Sequence, residues 1–171
     1  MTLINAVDLV INSLAASEAF QEMVGAENAT LAEHRIYFVE TEPPVDANVE
    51  YQIEELLDRV RPYAAVAVPD NGYSLFLRGA QNGFICSGQV DVKLERTTPD
   101  NLETVRQIER DWYSVVGSIM REMSENSGIH PYPDIQAISM TSAPKRSHPL
   151  THEALGDYQW AVFNVAWGVT Q

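Results

Sequence analysis

The chain has 171 residues, 45% of them hydrophobic and 20% charged, which suits one globular domain with its own core and excludes a disordered polymer. Eleven basic residues against 24 acidic ones leave a formal charge of −13, which excludes a protein that grips a phosphate backbone over most of its surface. A single cysteine excludes a disulfide framework, and no apolar run approaches the roughly 20 residues that a membrane span needs.

Leu3, Val7, Val10 and Leu14, widened by Ile4 and Ile11, repeat at helical spacing behind Thr2 as N-cap, so the spacing predicts an amphipathic helix over 3–16. Asp8 and Asn12 interrupt this stretch and no Lys or Arg precedes it, so it does not read as a signal peptide, and a cytoplasmic setting is expected. A short helix over 18–24 should stop at Gly25. The β-branched and aromatic run His34-Arg35-Ile36-Tyr37-Phe38-Val39-Glu40 predicts a strand closed by Pro43-Pro44. Tyr51, Ile53, Leu56, Leu57 and Val60 then predict a helix over about 48–61, stopped by Pro62.

Three strands should follow over 63–68, 74–78 and 83–95, separated by the turn signals Pro69-Asp70-Asn71-Gly72 and Gly79-Ala80-Gln81-Asn82, as an antiparallel meander. In the third, Val90, Val92 and Leu94 alternate with Gln89, Asp91, Lys93 and Glu95, which predicts one dry face and one wet face. Thr98 or Asp100 is the expected cap of the longest helix, over about 101–126. Its stripe of Leu102, Val105, Ile108, Trp112, Val115, Val116, Ile119 and Met123 should cover the sheet. Two closing strands, over 135–142 and 157–169, flank a long polar loop at 143–156. The expected fold is a single α+β domain, 1–171: a mostly antiparallel sheet, the meander plus two C-terminal strands, covered by an N-terminal helix and one long central helix.

The patterns that announce chemistry are weak. His148 and His152 stand four apart with Glu153 adjacent and His130 upstream, but not in an HExxH frame, and Pro149 breaks any helix that would align the rings. Gly79, Gly83 and Gly88 form no phosphate-binding pattern, and no nucleophile elbow occurs. Cys86, in the run Gly83-Phe84-Ile85-Cys86, has no basic neighbour in sequence and reads as a buried thiol. The expectation is therefore no catalytic residue, no metal and no cofactor. The rival is a small metal- or cysteine-dependent enzyme built on His130, His148, His152 or Cys86.

Contact residues are easier to nominate. Lys145 and Arg146 are an adjacent basic pair in an acidic chain, suited to docking an acidic neighbouring subunit, with His148 close behind. Trp112, Trp160 and Trp167 fall at spacings that suit the core, yet tryptophan and tyrosine also anchor interfaces, which adds Tyr158 and Trp160 to the candidates. A sheet whose edge strand closes the chain has a further route to association through its unpaired backbone groups.

The order of elements, ending in Ala154-Leu155-Gly156-Asp157-Tyr158-Gln159-Trp160-Ala161-Val162-Phe163-Asn164-Val165-Ala166-Trp167-Gly168, resembles the tail terminator and tail-completion (head-tail joining) proteins of long-tailed phages. The resemblance implies a non-catalytic virion protein, assembled in the host cytoplasm as a ring, a hexamer, that caps the tail tube. Its partners would be copies of itself, the tail-tube protein and the head-tail connector protein. DNA would pass through without specific binding, aided by an acidic lumen. Relative to the smaller terminators the chain carries an insertion at about 18–61, which leaves open another neck protein of the same virion. An adaptor that binds one cellular partner through its sheet edge is a third reading.

Overall fold

A computed structural model describes residues 3–38, 61–69, 73–78, 83–102, 104–126, 134–147 and 157–168. Four helices occur among them: α1 (Leu3–Ala15), α2 (Glu18–Val24), α3 (Ala29–Glu33) and α4 (Val105–Asn126). The strands are β1 (Ile36–Phe38), β2 (Tyr63–Ala67), β3 (Tyr73–Arg78), β4 (Gly83–Thr97), β5 (Asp134–Ser147) and β6 (Tyr158–Gly168). They form one mixed sheet in the order β1-β2-β4-β6-β5, with β3 also paired to β4. The expected helix over 48–61 falls on residues outside the described set, apart from Arg61, which is not helical.

α1 and α2 form where periodicity and caps place them. Val7, Val10 and Leu14 are buried, and Gly25 ends α2 in the left-handed conformation (φ 67°), its neighbour Ala26 donating back to the Gln21 carbonyl. The Ser17 hydroxyl accepts from the Phe20 amide and donates to Glu122 Oε2 at 2.8 Å, and the same carboxylate oxygen accepts the Ala19 amide at 3.0 Å. A carboxylate from α4 thus completes the N-terminus of α2, where the free amides favour negative charge. Glu122→Ala should cost about 1 kcal/mol, read as a lower urea midpoint at unchanged slope; an unchanged midpoint would show the cap to be idle.

The cap expected at Thr98 or Asp100 is elsewhere. Thr104 accepts the Gln107 amide on its hydroxyl while Gln107 Oε1 accepts the Thr104 amide, the reciprocal capping box of a T-x-x-Q sequence. Thr98 instead donates to Asp157. Starting later, α4 leaves Leu102 ahead of the helix and Val105 exposed, while Ile108, Trp112, Val116, Ile119 and Met123 are buried. α3, which has little length for periodicity to show, is capped by the Asn28 side chain on the Leu31 amide.

The expected meander does not form. β2 and β3 both run antiparallel to β4, β2 from Tyr63↔Glu95 to Ala67↔Asp91 and β3 from Tyr73↔Gly88 to Arg78↔Gly83. They lie in succession along one edge of β4, which at 15 residues is long enough to pair with each in turn. A turn-rich sequence does not say whether the chain reverses; the partner strand decides that. β1 pairs with β2 in parallel, an arrangement that requires a crossover rather than a hairpin.

β5 extends through Ser147, so residues 143–147 of the expected long loop are strand, Pro144 included; 148–156 lie outside the described residues. Proline is tolerated because β5 is an edge strand among the described residues, paired there with β6 alone, and the register slips between Ser142 and Lys145. Register places Ala64, Val66, Val90, Val92, Leu94, Ala161, Phe163 and Val165 on one sheet face, where all are buried in a single core with α1, α2 and α4. Each buried Val, Leu or Phe among them contributes about 1.5–3 kcal/mol. Among the described residues no helix is long and apolar enough to cross a membrane.

Candidate functional site

Alternation along β4 sends Val90, Val92 and Leu94 into the core and Asp91, Lys93 and Glu95 to the other face. That face was expected to be wet, yet Glu95 is only 2% exposed. Its register partners form a row across four strands, Tyr63, Glu95, Trp160 and Lys145. Glu95 Oε1 accepts from Arg61 Nε at 2.6 Å, and Oε2 accepts from Lys93 Nζ at 2.8 Å and the Tyr63 hydroxyl at 3.0 Å. Arg61 also lies 4.0 Å over the Tyr158 ring, Lys145 Nζ lies 5.0 Å over Trp160, and Tyr37 meets Tyr63 edge to face.

Burial alone would raise the Glu95 carboxyl, but Lys93 and Arg61 outweigh it and hold the group below its ordinary value of 4.5. Tyr63 moves the other way: burial, then the charge of Glu95 and the bond donated to it, push the phenol well above 10.0. A general base at neutral pH needs a raised carboxyl with a free lone pair. Glu95 has the opposite setting, so the row is suited to holding four strands together rather than to moving protons.

On the helix side of the same strand ends lies a second cluster. Gln159 Nε2 donates to the Ile108 carbonyl of α4 and its Oε1 accepts from Arg96, which also pairs with Asp111 and lies 4.6 Å over Trp112. Arg146, the register neighbour of Gln159, is held by both carboxylate oxygens of Asp157, and its guanidinium is thereby raised further. Arg96 and Asp111 also line a cleft of about 620 Å³ between α2 and α4, with Glu22, Thr97, Ser114 and Ser118.

The structure therefore divides the nominated contact residues. Lys145, Tyr158 and Trp160 share one face; Arg146 points to the other and is engaged by Asp157; His148 lies outside the described residues. The adjacent basic pair was expected to act as one docking point from a loop, but in a strand consecutive side chains diverge. Trp112 and Trp167 are core residues, 1% exposed, whereas Trp160 is half-buried under Lys145. Arg61, Tyr63, Glu95, Arg96 and Asp111 were not singled out from sequence. The available signal was the crowding of Lys93, Glu95 and Arg96 at one strand end.

Of the rival's residues, His130, His148 and His152 lie outside the described set, and Cys86 lies in β4 opposite Leu75. Compared with known proteins, the chain matches no family model and no curated protein.

Proposed function

We propose that the protein is a self-assembling virion subunit of a long-tailed phage, of the tail terminator or tail-completion kind, capping the tail tube as a ring and meeting the head connector. The observation that carries this reading is the far end of the β3–β4 pair. Among the described residues β6 accompanies β4 to Ser87↔Gly168, and residues 83–88 of β4 pair with β3. There the register sets Leu75 opposite Cys86, Phe76 opposite Ile85 and Leu77 opposite Phe84. Both strands are apolar in sequence over this stretch, which suits burial against a neighbour. A second copy of the same chain is the occupant a ring supplies.

Two further features support the reading. β5 offers a second edge among the described residues, and the charge of −13 suits a lumen through which DNA slides. The mostly antiparallel sheet, with α1 and α4 against its core face, also follows the element order of the resemblance. Light scattering after size exclusion tests it. The wild-type chain should elute as a multiple of 19.1 kDa, and Phe76→Ser with Ile85→Ser should return it to 19.1 kDa with unchanged far-ultraviolet circular dichroism. A chain that stays monomeric at high concentration, alone and with tail tubes, is not a terminator.

A neighbouring reading, another neck protein of the same virion, draws on the insertion. Its residues 18–38 form α2, α3 and β1, so the sheet gains an edge strand with Tyr37 and Phe38 each 43% exposed. Particles lacking the gene separate the two under the electron microscope: overlong tails mark a terminator, normal tails detached from heads a joining protein.

A further inference from the structure

α4 carries a stripe that its seating on the sheet does not use. Arg106, Arg110 and Tyr113 stand at helical spacing opposite the buried face, all exposed, with Val105 exposed at the helix start. With Glu109 and Ser114 they line a surface hollow of about 610 Å³. Arg106 and Arg110 form no ion pair among the described residues. By contrast Arg61, Lys93, Arg96, Arg121 and Arg146 each pair with a carboxylate, and Lys145 and Arg35 each have another contact. In a chain of charge −13, two uncommitted guanidiniums one turn apart beside an exposed tyrosine are the composition of an interface anchor.

The complement is present on the same molecule. Residues 3–34 contain no Lys or Arg, and their five carboxylates, Asp8, Glu18, Glu22, Glu27 and Glu33, are all exposed without an ion pair among the described residues. Leu31, 46% exposed, stands among them as an apolar counterpart for Tyr113. We infer that the Arg106–Arg110–Tyr113 stripe of one copy docks on the acidic α1–α3 surface of the next. Two unlike patches that bind each other make a heterologous contact, and such contacts build a ring when the rotation between copies closes. The inference rests on the self-assembly proposed above and names its charged interface, separate from the β3–β4 ribbon.

Charge exchange tests it in the full chain by sedimentation velocity. Arg106→Glu/Arg110→Glu places acid against acid, and Glu27→Arg/Glu33→Arg places base against base. Each variant alone should sediment at the monomer mass of 19.1 kDa where the wild type assembles, its apparent Kd weakened by at least about tenfold. An equimolar mixture of the two restores opposite charges at every junction and should recover the wild-type mass. Salt should dissociate the wild type as the screening length falls from about 10 Å at 0.1 M to about 3 Å at 1 M. An unchanged far-ultraviolet circular dichroism spectrum confirms that each variant is folded, since loss of assembly by itself shifts a thermal midpoint. If Arg106→Glu/Arg110→Glu assembles like the wild type, or the mixture of two folded monomers stays monomeric, the stripe is not the contact, while self-assembly stands. A wild-type chain that never assembles overturns both.

Discussion

Replacing Glu95 with alanine should cost about 3–5 kcal/mol of folding stability, because it removes the carboxylate that pairs with the buried Arg61 guanidinium. The loss falls mainly on Arg61, whose side chain is 2% exposed; Lys93 is 44% exposed and regains water when its partner goes. The Tyr63 hydroxyl also loses its acceptor. Urea unfolding should show a lower midpoint with an unchanged slope. Arg61→Met combined with Glu95→Leu should recover much of the loss, since a buried pair replaced by apolar groups is often neutral or stabilising. If Glu95→Ala unfolds at the wild-type midpoint, the row does not hold the strands.

The same row fixes a pH dependence of definite sign. The Glu95 carboxyl is lower in the folded chain than its ordinary 4.5, so its contribution is complete above pH 4.5 and is lost as pH falls through the lowered value. Tyr63 is raised, so its contribution is complete below pH 10.0 and is lost as pH rises towards the higher folded value. Glu95→Gln should flatten the acid limb.

Trp112→Ala is the second large effect, again about 3–5 kcal/mol, from the transfer and cavity costs of a side chain 1% exposed in the centre of the core. The indole does three things. It fills the space between α4 and the sheet, donates Nε1–H to the Trp160 carbonyl at 3.2 Å, and supports Arg96 at 4.6 Å. Trp112→Phe keeps most of the volume and loses the bond, so it should cost about 1–2 kcal/mol. Differential scanning calorimetry orders the pair, and equal midpoints for Phe and Ala would show that the bond, not the volume, dominates. Because α4 carries Arg106 and Arg110, loosening its seat should also weaken assembly at temperatures below the unfolding transition.

Much of the fold could be read from the chain because it follows from local rules. Val7, Val10 and Leu14 announce α1 by spacing, Gly25 ends α2 because its φ of 67° suits glycine, and Val90, Val92 and Leu94 announce the core face of β4 by alternation. Trp112 and Trp167 were legible as core residues for the same reason. Each of these signals lies within a few residues of its consequence.

What the tertiary structure decided depends on pairing between distant segments. Whether β2 and β3 reverse on each other or follow one another was set by the length of β4, and Glu95 is buried because Arg61 and Tyr63 arrive from 34 and 32 residues away. Lys145 and Arg146 are neighbours in sequence and opposites in space because β6 draws both into a strand. Composition and periodicity determined which residues need burial and which elements they build. Register between strands determined which charges meet, since opposing side chains belong to different parts of the chain and local pattern carries no record of the partner.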